Sequence, residues 1–155
     1  MLNEMSNTRY SGPKQYSKIR AQNSVEMLED YVETIGDLIA NNGEARNADL
    51  ANHFGVSQAT INKNIKRLIA FDLVKTEPYR SIFLTPKGNL LADASRKKHE
   101  IVLNFLLKLG VPNKIAEEDS EGIEHHVSTE TLAIMKKFIS NYFFFVFVIS
   151  FFSKT

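Results

Sequence analysis

The sequence predicts a mainly α-helical protein, in which a winged helix-turn-helix domain precedes a second, helical domain. Three observations carry this prediction: a helical hydrophobic period that begins near residue 24, a helix-turn-helix pattern between residues 47 and 69, and two short β-forming segments directly after it. With 155 residues the chain has room for one or two small cores. We expect an arm at 1–23, the winged domain at 24–92, the helical domain at 93–140 and an apolar tail at 141–155.

Composition narrows the class of protein. Apolar residues make up 43% and charged residues 24% of the chain, as in ordinary globular proteins. The absence of cysteine excludes disulfides, zinc fingers, thiolate metal sites and cysteine nucleophiles. The polar N-terminus does not look like a secretory signal, so we expect a cytoplasmic protein. Residues 1–98 hold 14 Lys and Arg against 11 Asp and Glu, whereas residues 99–155 hold 5 against 7, which makes the first part the better candidate to meet a polyanion.

The first helix is predicted to follow a flexible basic arm. Residues 1–23 are too polar to bury a core, and Ser24 is a suitable N-cap. Asn42-Gly43 then ends the helix. Its predicted apolar stripe consists of Val25, Leu28, Tyr31, Val32, Ile35, Leu38 and Ile39.

Residues 47–69 have the pattern of a DNA-binding helix-turn-helix. Asn47 caps a short helix, Gly55 permits a left-handed turn with Val56 packed beneath it, and Ser57 caps the second helix. Leu50, Ala51, Phe54, Ile61, Ile65, Leu68 and Ile69 are predicted to face the core. The residues predicted to contact DNA are Ser57, Gln58, Ala59, Thr60, Asn62, Lys63 and Lys66. His53 is interpreted as a surface residue of the first of these helices. The alternative interpretation of the whole pattern is an ordinary helical hairpin.

A wing follows the second helix. Residues 73–77 and 82–85 are predicted strands, and Arg80 at the tip of their connection is placed to reach DNA. The segment from Lys63 to Arg80 contains five basic residues and two acidic residues, so the predicted DNA surface has an excess of positive charge. A hairpin after a helix-turn-helix predicts a winged helix.

The following helices contain acidic residues and histidines. Thr85-Pro86 is a helix start whose apolar pattern (Leu90, Leu91, Ala94, Ile101, Val102, Phe105 and Leu106) runs to Leu109-Gly110, with His99 in its middle. Further helices are predicted after Pro112 and after Ser128, the last with Leu132, Met135 and Phe138.

One acidic segment is a candidate metal site. If residues 119–126 are helical, Glu121, Glu124 and His125 share one helix face, because residues three and four apart are neighbours. Asp30 and Glu33 repeat the three-residue spacing on the first helix. The alternative interpretation is a solvated acidic face, and a lone histidine such as His99 is more often structural than a ligand.

These parts closely resemble the manganese-responsive transport regulators of the diphtheria toxin repressor family. The resemblance covers roughly residues 24–140 and is most specific at Glu121-Gly-Ile-Glu-His-His126. It implies a binuclear manganese site between a DNA-binding and a dimerisation domain. The implied ligands are Asp30, Glu33, His99, Glu121, Glu124 and His125. His126 has no ligand role in this match, so a supporting role is expected.

The resemblance implies a homodimeric, manganese-activated repressor of uptake genes bound to double-stranded operator DNA, with activation of efflux genes as a further role. The ligand chemistry agrees, since carboxylates and imidazoles without sulfur suit Mn²⁺ or Fe²⁺ rather than Cu⁺. Two alternatives are a metal-independent winged-helix regulator, which leaves the ligand residues unexplained, and a binuclear hydrolase. Because no substrate pocket or phosphate cradle is visible, we expect no enzyme activity and no small-molecule substrate.

The C-terminal segment departs from the family pattern. Residues 142–152 are nearly all apolar and rich in β-formers, which is typical of aggregation-prone segments. Spanning a bilayer takes about twenty such residues, so a membrane span is not expected. We interpret the tail as a divergent C-terminus, with a dimer-burying segment or a membrane-surface anchor as alternatives.

Overall fold

The computed structural model describes residues 13–76 and 81–152, with side chains described for residues 23–76 and 81–141. Its helices and strands, in chain order, are α1 Pro13–Asn42, α2 Asn47–Phe54, α3 Gln58–Ala70, β1 Val74–Thr76, β2 Ile82–Leu84, α4 Pro86–Lys108, α5 Asn113–Ile123 and α6 Thr129–Phe152. The first five elements form the winged helix and the last three the helical part, which confirms the predicted fold class.

The winged helix is built around one apolar core. Leu28, Val32 and Ile35 of α1 pack there with residues of α2, α3 and the hairpin. Strands β1 and β2 are antiparallel, and Ile82 also bonds through its backbone N–H to the carbonyl of Ala45 at 2.8 Å, which ties the wing to the loop after α1. The helix-turn-helix and its wing are therefore one packed unit.

Helix α4 joins the winged helix to the helical part. Thr85 is its N-cap, accepting a hydrogen bond from the Gly88 N–H at 3.0 Å, and Pro86 occupies the first turn, both as predicted. The N-terminal end of α4 packs on the wing, where Gly88 approaches Leu73. Its middle pairs with α1 through Arg96 and Lys98, and α4 also contacts α5 and α6. One continuous helix thus touches both halves of the molecule.

The start of α1 differs from the prediction. The helix begins at Pro13, so residues 13–23 are helical and only residues 1–12 of the predicted arm lie outside the described residues. Pro is favoured in a first turn, and residues 14–23 contain no helix breaker, so α1 continues through them. Ser24 is therefore not an N-cap, and its hydroxyl instead accepts a hydrogen bond from Arg67 of α3.

The predicted cap of α2 was also wrong. Arg46 is the N-cap residue, and its backbone N–H donates to the carboxylate of Asp49 at 3.1 Å. Asn47 is the first helical residue, and its side-chain amide donates to Asn62 Oδ1 of α3 at 2.6 Å. The Asn47 side chain, which was expected to cap α2, therefore contacts α3 instead.

Several residues assigned to apolar stripes are exposed. Val25, Val56, Ile69, Leu90 and Ala94 all lie on outer faces. On α4 the buried positions are Gly88, Ala92, Ser95 and Val102, of which only Val102 belongs to the predicted stripe. They recur at helical spacing, one face away from Leu90 and Ala94. Leu90 is 71% exposed. The apolar pattern of α4 combined two faces, of which only one meets the core.

The C-terminal helix contains the apolar run. Ser128 is the N-cap, since its Oγ accepts from the Thr131 N–H at 3.2 Å, and α6 then continues to Phe152. The β-forming residues of this run are therefore helical in backbone, because extending a nucleated helix costs less than starting another structure. Within the described part of the chain, no helix has the length and apolar content to cross a membrane.

Candidate metal centre and DNA-binding surface

An acidic cleft lies where α1, α4 and the end of α5 meet. Its volume is about 470 Å³. All six ligands implied by the sequence line it: Asp30, Glu33, His99, Glu121, Glu124 and His125. Residues from three helices and 95 positions apart in sequence (Asp30 to His125) are thus brought to one place.

Helix α1 contributes its carboxylates because its other face is in the core. Tyr31 and Val32 are buried at 4% and 0% exposure, which directs the face with Asp30 and Glu33 toward the cleft. The three-residue spacing keeps the two carboxylates on adjacent turns.

The end of α5 supplies the acidic segment. Glu121 lies in its last turn, and Glu124 is the C-cap residue with helical dihedrals, φ −58° and ψ −33°. Its N–H still bonds to the carbonyl of Ser120, so Glu121 and Glu124 share a face as predicted. His125 lies in the turn after the helix, so the prediction that the helix extends through it was wrong. The turn nevertheless directs its ring into the cleft.

Carboxylates surround His99 of α4. Its Nδ1 lies 2.8 Å from Oε2 of Glu124 and 3.5 Å from Oε1 of Glu121. Its Nε2 lies 3.7 Å from Oε2 of Glu117. The His99 side chain is 19% exposed, so it faces the cleft rather than solvent.

His125 is held in the same way from the other side. Its Nδ1 lies 3.1 Å from Oε2 of Glu29, and its Nε2 lies 3.0 Å from Oδ1 of Asp30. Oε1 of Glu124 is 3.5 Å from the same Nε2. Glu124 therefore lies between both imidazoles, with one oxygen near each.

Burial and neighbouring charges raise the pKa of some residues in the cleft and lower the pKa of others. Burial raises the pKa of Glu124 to about 7, although both neighbouring imidazoles oppose the shift and Glu33 adds to it. Hydrogen bonds to Asp30 and Glu29 raise the pKa of His125 to about 10 against the effect of its burial. For Glu29, burial favours the neutral acid, but hydrogen bonds from His125 and Lys98 outweigh it and lower the pKa. Protons and cations thus offset the negative charge of this cleft.

The donor set fits a divalent metal. Six carboxylates and three imidazoles line the cleft, and four of these carboxylates and two of these imidazoles belong to the predicted ligands. Oxygen with imidazole nitrogen suits Mn²⁺ or Fe²⁺. Within residues 23–76 and 81–141, no three of these side chains already stand in a metal-binding arrangement. The imidazoles are hydrogen-bonded to the carboxylates instead, and a dication would replace the shared protons. Small side-chain rotations about these contacts are therefore needed for ligation.

Several residues of this site were not predicted from the sequence. They include Glu26, Asp37 and His53 in the lining of the cleft, and Glu29, Lys98 and Glu117 beside it. Glu29 and Lys98 adjoin the predicted ligands Asp30 and His99, and Glu117 lies one helical turn before Glu121. Glu26, Glu29, Asp30 and Glu33 share helical spacing on α1, a signal that could have drawn attention to Glu29. His126 is exposed, and its expected supporting role stays a prediction.

The predicted DNA-binding residues form one exposed surface. Gly55 has the left-handed conformation (φ 63°), and Ser57 caps α3 by accepting from the Thr60 N–H at 3.2 Å. Ile61, Ile65 and Leu68 are buried. The opposite, solvent-facing side of α3 and its cap consists of Ser57, Gln58, Ala59, Thr60, Asn62, Lys63 and Lys66. Arg80 lies outside the described residues.

A groove runs between α3 and the wing. Its volume is about 1080 Å³, and its lining includes Arg46, Gln58, Asn62, Lys66 and Thr76. Basic and amide side chains are suited to phosphates and base edges, and a helix with a free outer face fits the major groove. This surface lies on the opposite side of α3 from its buried residues.

Comparison with known proteins assigns the family. Residues 24–82 match the "Iron dependent repressor, N-terminal DNA binding domain" and residues 85–142 match the "Iron dependent repressor, metal binding and dimerisation domain". The chain belongs to the iron-dependent repressor family. The resemblance found in the sequence is confirmed, and the boundary between the two matches falls just before α4.

Relatives of this chain are described as transcriptional regulators. The chain is 50% identical over 117 residues to the transcriptional regulator MntR of Salmonella typhimurium, covering 76% of this chain and 74% of that protein. The structure of the manganese regulator SloR matches with 28% identity and a TM-score of 0.64 over 73% of this chain. A manganese-dependent transcriptional repressor in complex with manganese matches with 25% identity and a TM-score of 0.66 over 73% of this chain.

The chain spans about half the length of these two structures, 53% and 52%. The prediction of a metal-dependent, DNA-binding transcriptional regulator rather than an enzyme is confirmed by the family and its curated relatives.

Proposed function

We propose that this repressor is a manganese-activated, homodimeric regulator that represses manganese-uptake genes in the cytoplasm, with activation of efflux genes as a further role. The observation that carries the proposal is the acidic cleft. It joins carboxylates of α1, which belongs to the winged helix, to ligands on α4 and α5, which belong to the helical part. Relatives described as manganese regulators support the choice of metal.

Six residues of the cleft would hold two metal ions. Asp30, Glu33, Glu121 and Glu124 supply oxygen, and His99 and His125 supply nitrogen. When bound, the metal would supply positive charge to these carboxylates, three of which lie within 3.5 Å of His99 or His125 in the described structure. Because no sulfur ligand is present, the site suits manganese, and Fe²⁺ remains a chemically reasonable competitor.

Helix α1 transmits its position to the DNA-reading helix. The Tyr31 hydroxyl accepts a hydrogen bond from the Asn64 side chain of α3 at 2.8 Å. The Tyr31 ring also stacks on Phe54 of α2, with centroids 4.4 Å apart. When the carboxylates of α1 are drawn to α4 and α5, α2 and α3 therefore move as one body with α1. Ligation of the cleft orients the recognition surface.

DNA binding by a dimer completes the proposal. Ser57, Gln58, Ala59, Thr60, Asn62, Lys63, Lys66 and Arg80 are the proposed DNA contacts. Two copies of α3 held one helical turn of DNA apart read a pseudo-palindromic operator. Large apolar side chains exposed on α4, α5 and α6, namely Leu107, Leu109, Ile115, Ile123 and Ile134, support a dimer surface in this half of the chain.

The test measures operator binding as a function of metal. Purified protein is titrated by fluorescence anisotropy against DNA from upstream of manganese-transporter genes, first with chelator and then with Mn²⁺, Fe²⁺ or Zn²⁺ at fixed salt. We expect a Kd about 5–150-fold lower with Mn²⁺ than with chelator, since ligand-driven coupling is typically worth about 1–3 kcal/mol.

Two variants serve as comparison. Glu124→Ala removes a cleft carboxylate and is expected to abolish the metal response, whereas Glu118→Ala removes an exposed carboxylate of α5 outside the cleft and is expected to retain it. Equal operator binding with and without metal in the wild-type protein would favour a metal-independent regulator instead.

A further inference from the structure

Glu29 is a buried carboxylate that the proposed metal set does not include. It is 6% exposed although it lies beside Asp30 at the edge of the cleft. Its two oxygens have different partners: Oε1 accepts from Lys98 Nζ of α4, and Oε2 faces His125 Nδ1 at 3.1 Å. One side chain of α1 therefore connects to α4 and to the turn after α5.

The contact decides which nitrogen of His125 faces the cleft. A carboxylate only accepts hydrogen bonds, so Nδ1 carries the proton that it shares with Glu29, and Nε2 likewise carries a proton toward Asp30 until a metal takes the place of that proton. The other nitrogen, Nε2, points to Asp30 and Glu124, at 3.0 and 3.5 Å. An imidazole binds metal through its unprotonated nitrogen, and the partner of the other nitrogen selects which one that is.

We infer that Glu29 is a positioning residue, which holds His125 with Nε2 toward the metal and is itself kept away from the metal by Lys98. The inference rests on the proposed function, because it takes His125 as a ligand. Lys98 is 31% exposed in its side chain and Glu29 only 7%, so the ion pair lies on the protein side of the cleft. Lys98 neutralises a carboxylate that would otherwise be free to compete for a cation beside Asp30.

The same contacts also hold α1, α4 and the turn after α5 together in the absence of a metal ion. Glu29 joins α1 to α4 through Lys98 and to the α5 turn through His125, so the three elements that form the cleft are linked before any cation enters. Preorganisation of this kind lowers the ordering cost of ligation, because His125 does not have to find its orientation when the metal binds.

A second ion pair offers a matched control. Arg96 Nη2 of α4 lies 2.9 Å from Oδ1 of Asp37 on α1, with side chains 41% and 55% exposed. It also joins α1 to α4, two residues before Lys98, but it contacts neither imidazole of the cleft in the described structure. Arg96→Met therefore removes an α1–α4 ion pair and leaves the support of His125 intact.

The experiment compares Glu29→Ala, Glu29→Gln and Arg96→Met with the wild type as full-length protein. Free Mn²⁺ is measured by electron paramagnetic resonance during titration, and the melting temperature is measured in chelator. ¹⁵N-histidine spectra of the Cd²⁺-loaded protein show which nitrogen of His125 carries the proton, since Cd²⁺ is diamagnetic.

We expect both Glu29 variants to weaken Mn²⁺ binding about 10–100-fold, the usual effect of removing a residue that supports a metal ligand. Arg96→Met is expected to change Mn²⁺ affinity less than about threefold, as for an exposed ion pair. In wild type and Arg96→Met, His125 is expected to keep its Nδ1 proton and bind Cd²⁺ through Nε2, and in Glu29→Ala this preference is expected to be lost.

Other outcomes overturn the inference. If the Glu29 variants and Arg96→Met weaken Mn²⁺ binding equally, Glu29 acts only in helix docking. If wild-type His125 binds Cd²⁺ through Nδ1, the assigned orientation is wrong. Should Glu29→Ala fail to fold, Glu29→Gln, which keeps the side-chain volume, decides between these results. A wild-type protein that binds no Mn²⁺ overturns the proposed function itself, a result distinct from either.

Discussion

At the scale of single residues, the carboxylates and imidazoles of the cleft share protons through hydrogen bonds. Glu124 is 3% exposed and lies between His99 and His125, each within 3.5 Å of one of its oxygens. A buried carboxylate between imidazoles keeps protons in the cleft up to neutral pH and beyond. The metal-free protein is therefore stabilised by protonation, and the residues proposed as ligands are the ones that hold the protons.

The stability of the metal-free protein should fall as pH rises. The pKa of Glu124 is raised to about 7 and that of His125 to about 10, so the folded state holds more protons than the unfolded chain from pH 4.5 to 7 at Glu124 and from pH 6.5 to 10 at His125. Stability declines with pH wherever the folded state binds more protons. We expect a melting temperature at least ~4 °C lower at about pH 9 than at about pH 6 in chelator.

The Glu124→Gln substitution separates the contributions of Glu124 and His125 to the pH dependence of stability. It removes the acid and keeps its shape, so the decline between pH 4.5 and 7 should flatten while the decline assigned to His125 remains. A wild-type melting temperature that rises steadily from pH 6 to 9 in chelator would contradict the assigned directions.

At the scale of elements, the wing and α4 meet without space for a side chain. A Cβ added to Gly88 in the first turn of α4 would lie 2.0 Å from the carbonyl oxygen of Leu73 before β1. Thr85 reinforces this junction by donating from its hydroxyl to the carbonyl of Asp72 at 2.6 Å. The angle between the wing and α4 therefore depends on a glycine.

Gly88→Ala should destabilise the protein. The contact involves backbone on both sides, which cannot rotate away, so we expect a loss of about 1–3 kcal/mol, the usual cost of overpacking. The measurement is urea unfolding of the metal-free protein. Gly122→Ala in α5 is the matched control, because an added Cβ there has no heavy atom within 4 Å, and it should be neutral or stabilising by about 0.5–1 kcal/mol. Equal effects of the two substitutions would refute the close contact.

At the scale of the whole molecule, α1 belongs to two structures at once. Its buried face contributes Leu28, Val32 and Ile35 to the winged-helix core, and its other face carries Asp30 and Glu33 into the cleft with α4 and α5. The proposed metal site and the proposed DNA surface are thus attached to the same packed core. A change in the position of α1 is therefore sufficient to couple metal binding to DNA binding.

This arrangement predicts reciprocal binding. Saturating operator DNA should tighten Mn²⁺ binding by the same factor by which saturating Mn²⁺ tightens operator binding, about 5–150-fold, because linkage is symmetric. Titrations of Mn²⁺ with and without DNA, followed by electron paramagnetic resonance, give the first factor, and anisotropy gives the second. A factor of one in both titrations would show that the cleft and the DNA surface are independent.

Local signals in the sequence sufficed for much of this structure. Gly55 and Ser57 specify the turn and the start of α3, and Thr85-Pro86 and Ser128 specify two further helix starts, because caps and turns depend on neighbouring residues only. The same holds for the carboxylate spacing of α1 and of the segment from Glu121 to Glu124. The family resemblance joined these pieces into one regulator.

Only the tertiary structure decided which face of each helix is covered and which side chains support the ligands. The exposure of Leu90 and Val25 depends on where α1 and α4 cross. The identity of an apolar residue does not show which other residue it packs against. Glu29 was not among the residues that the sequence singled out. Its role as a buried partner of both Lys98 and His125 arises from residues 69 and 96 positions away, which only folding brings together.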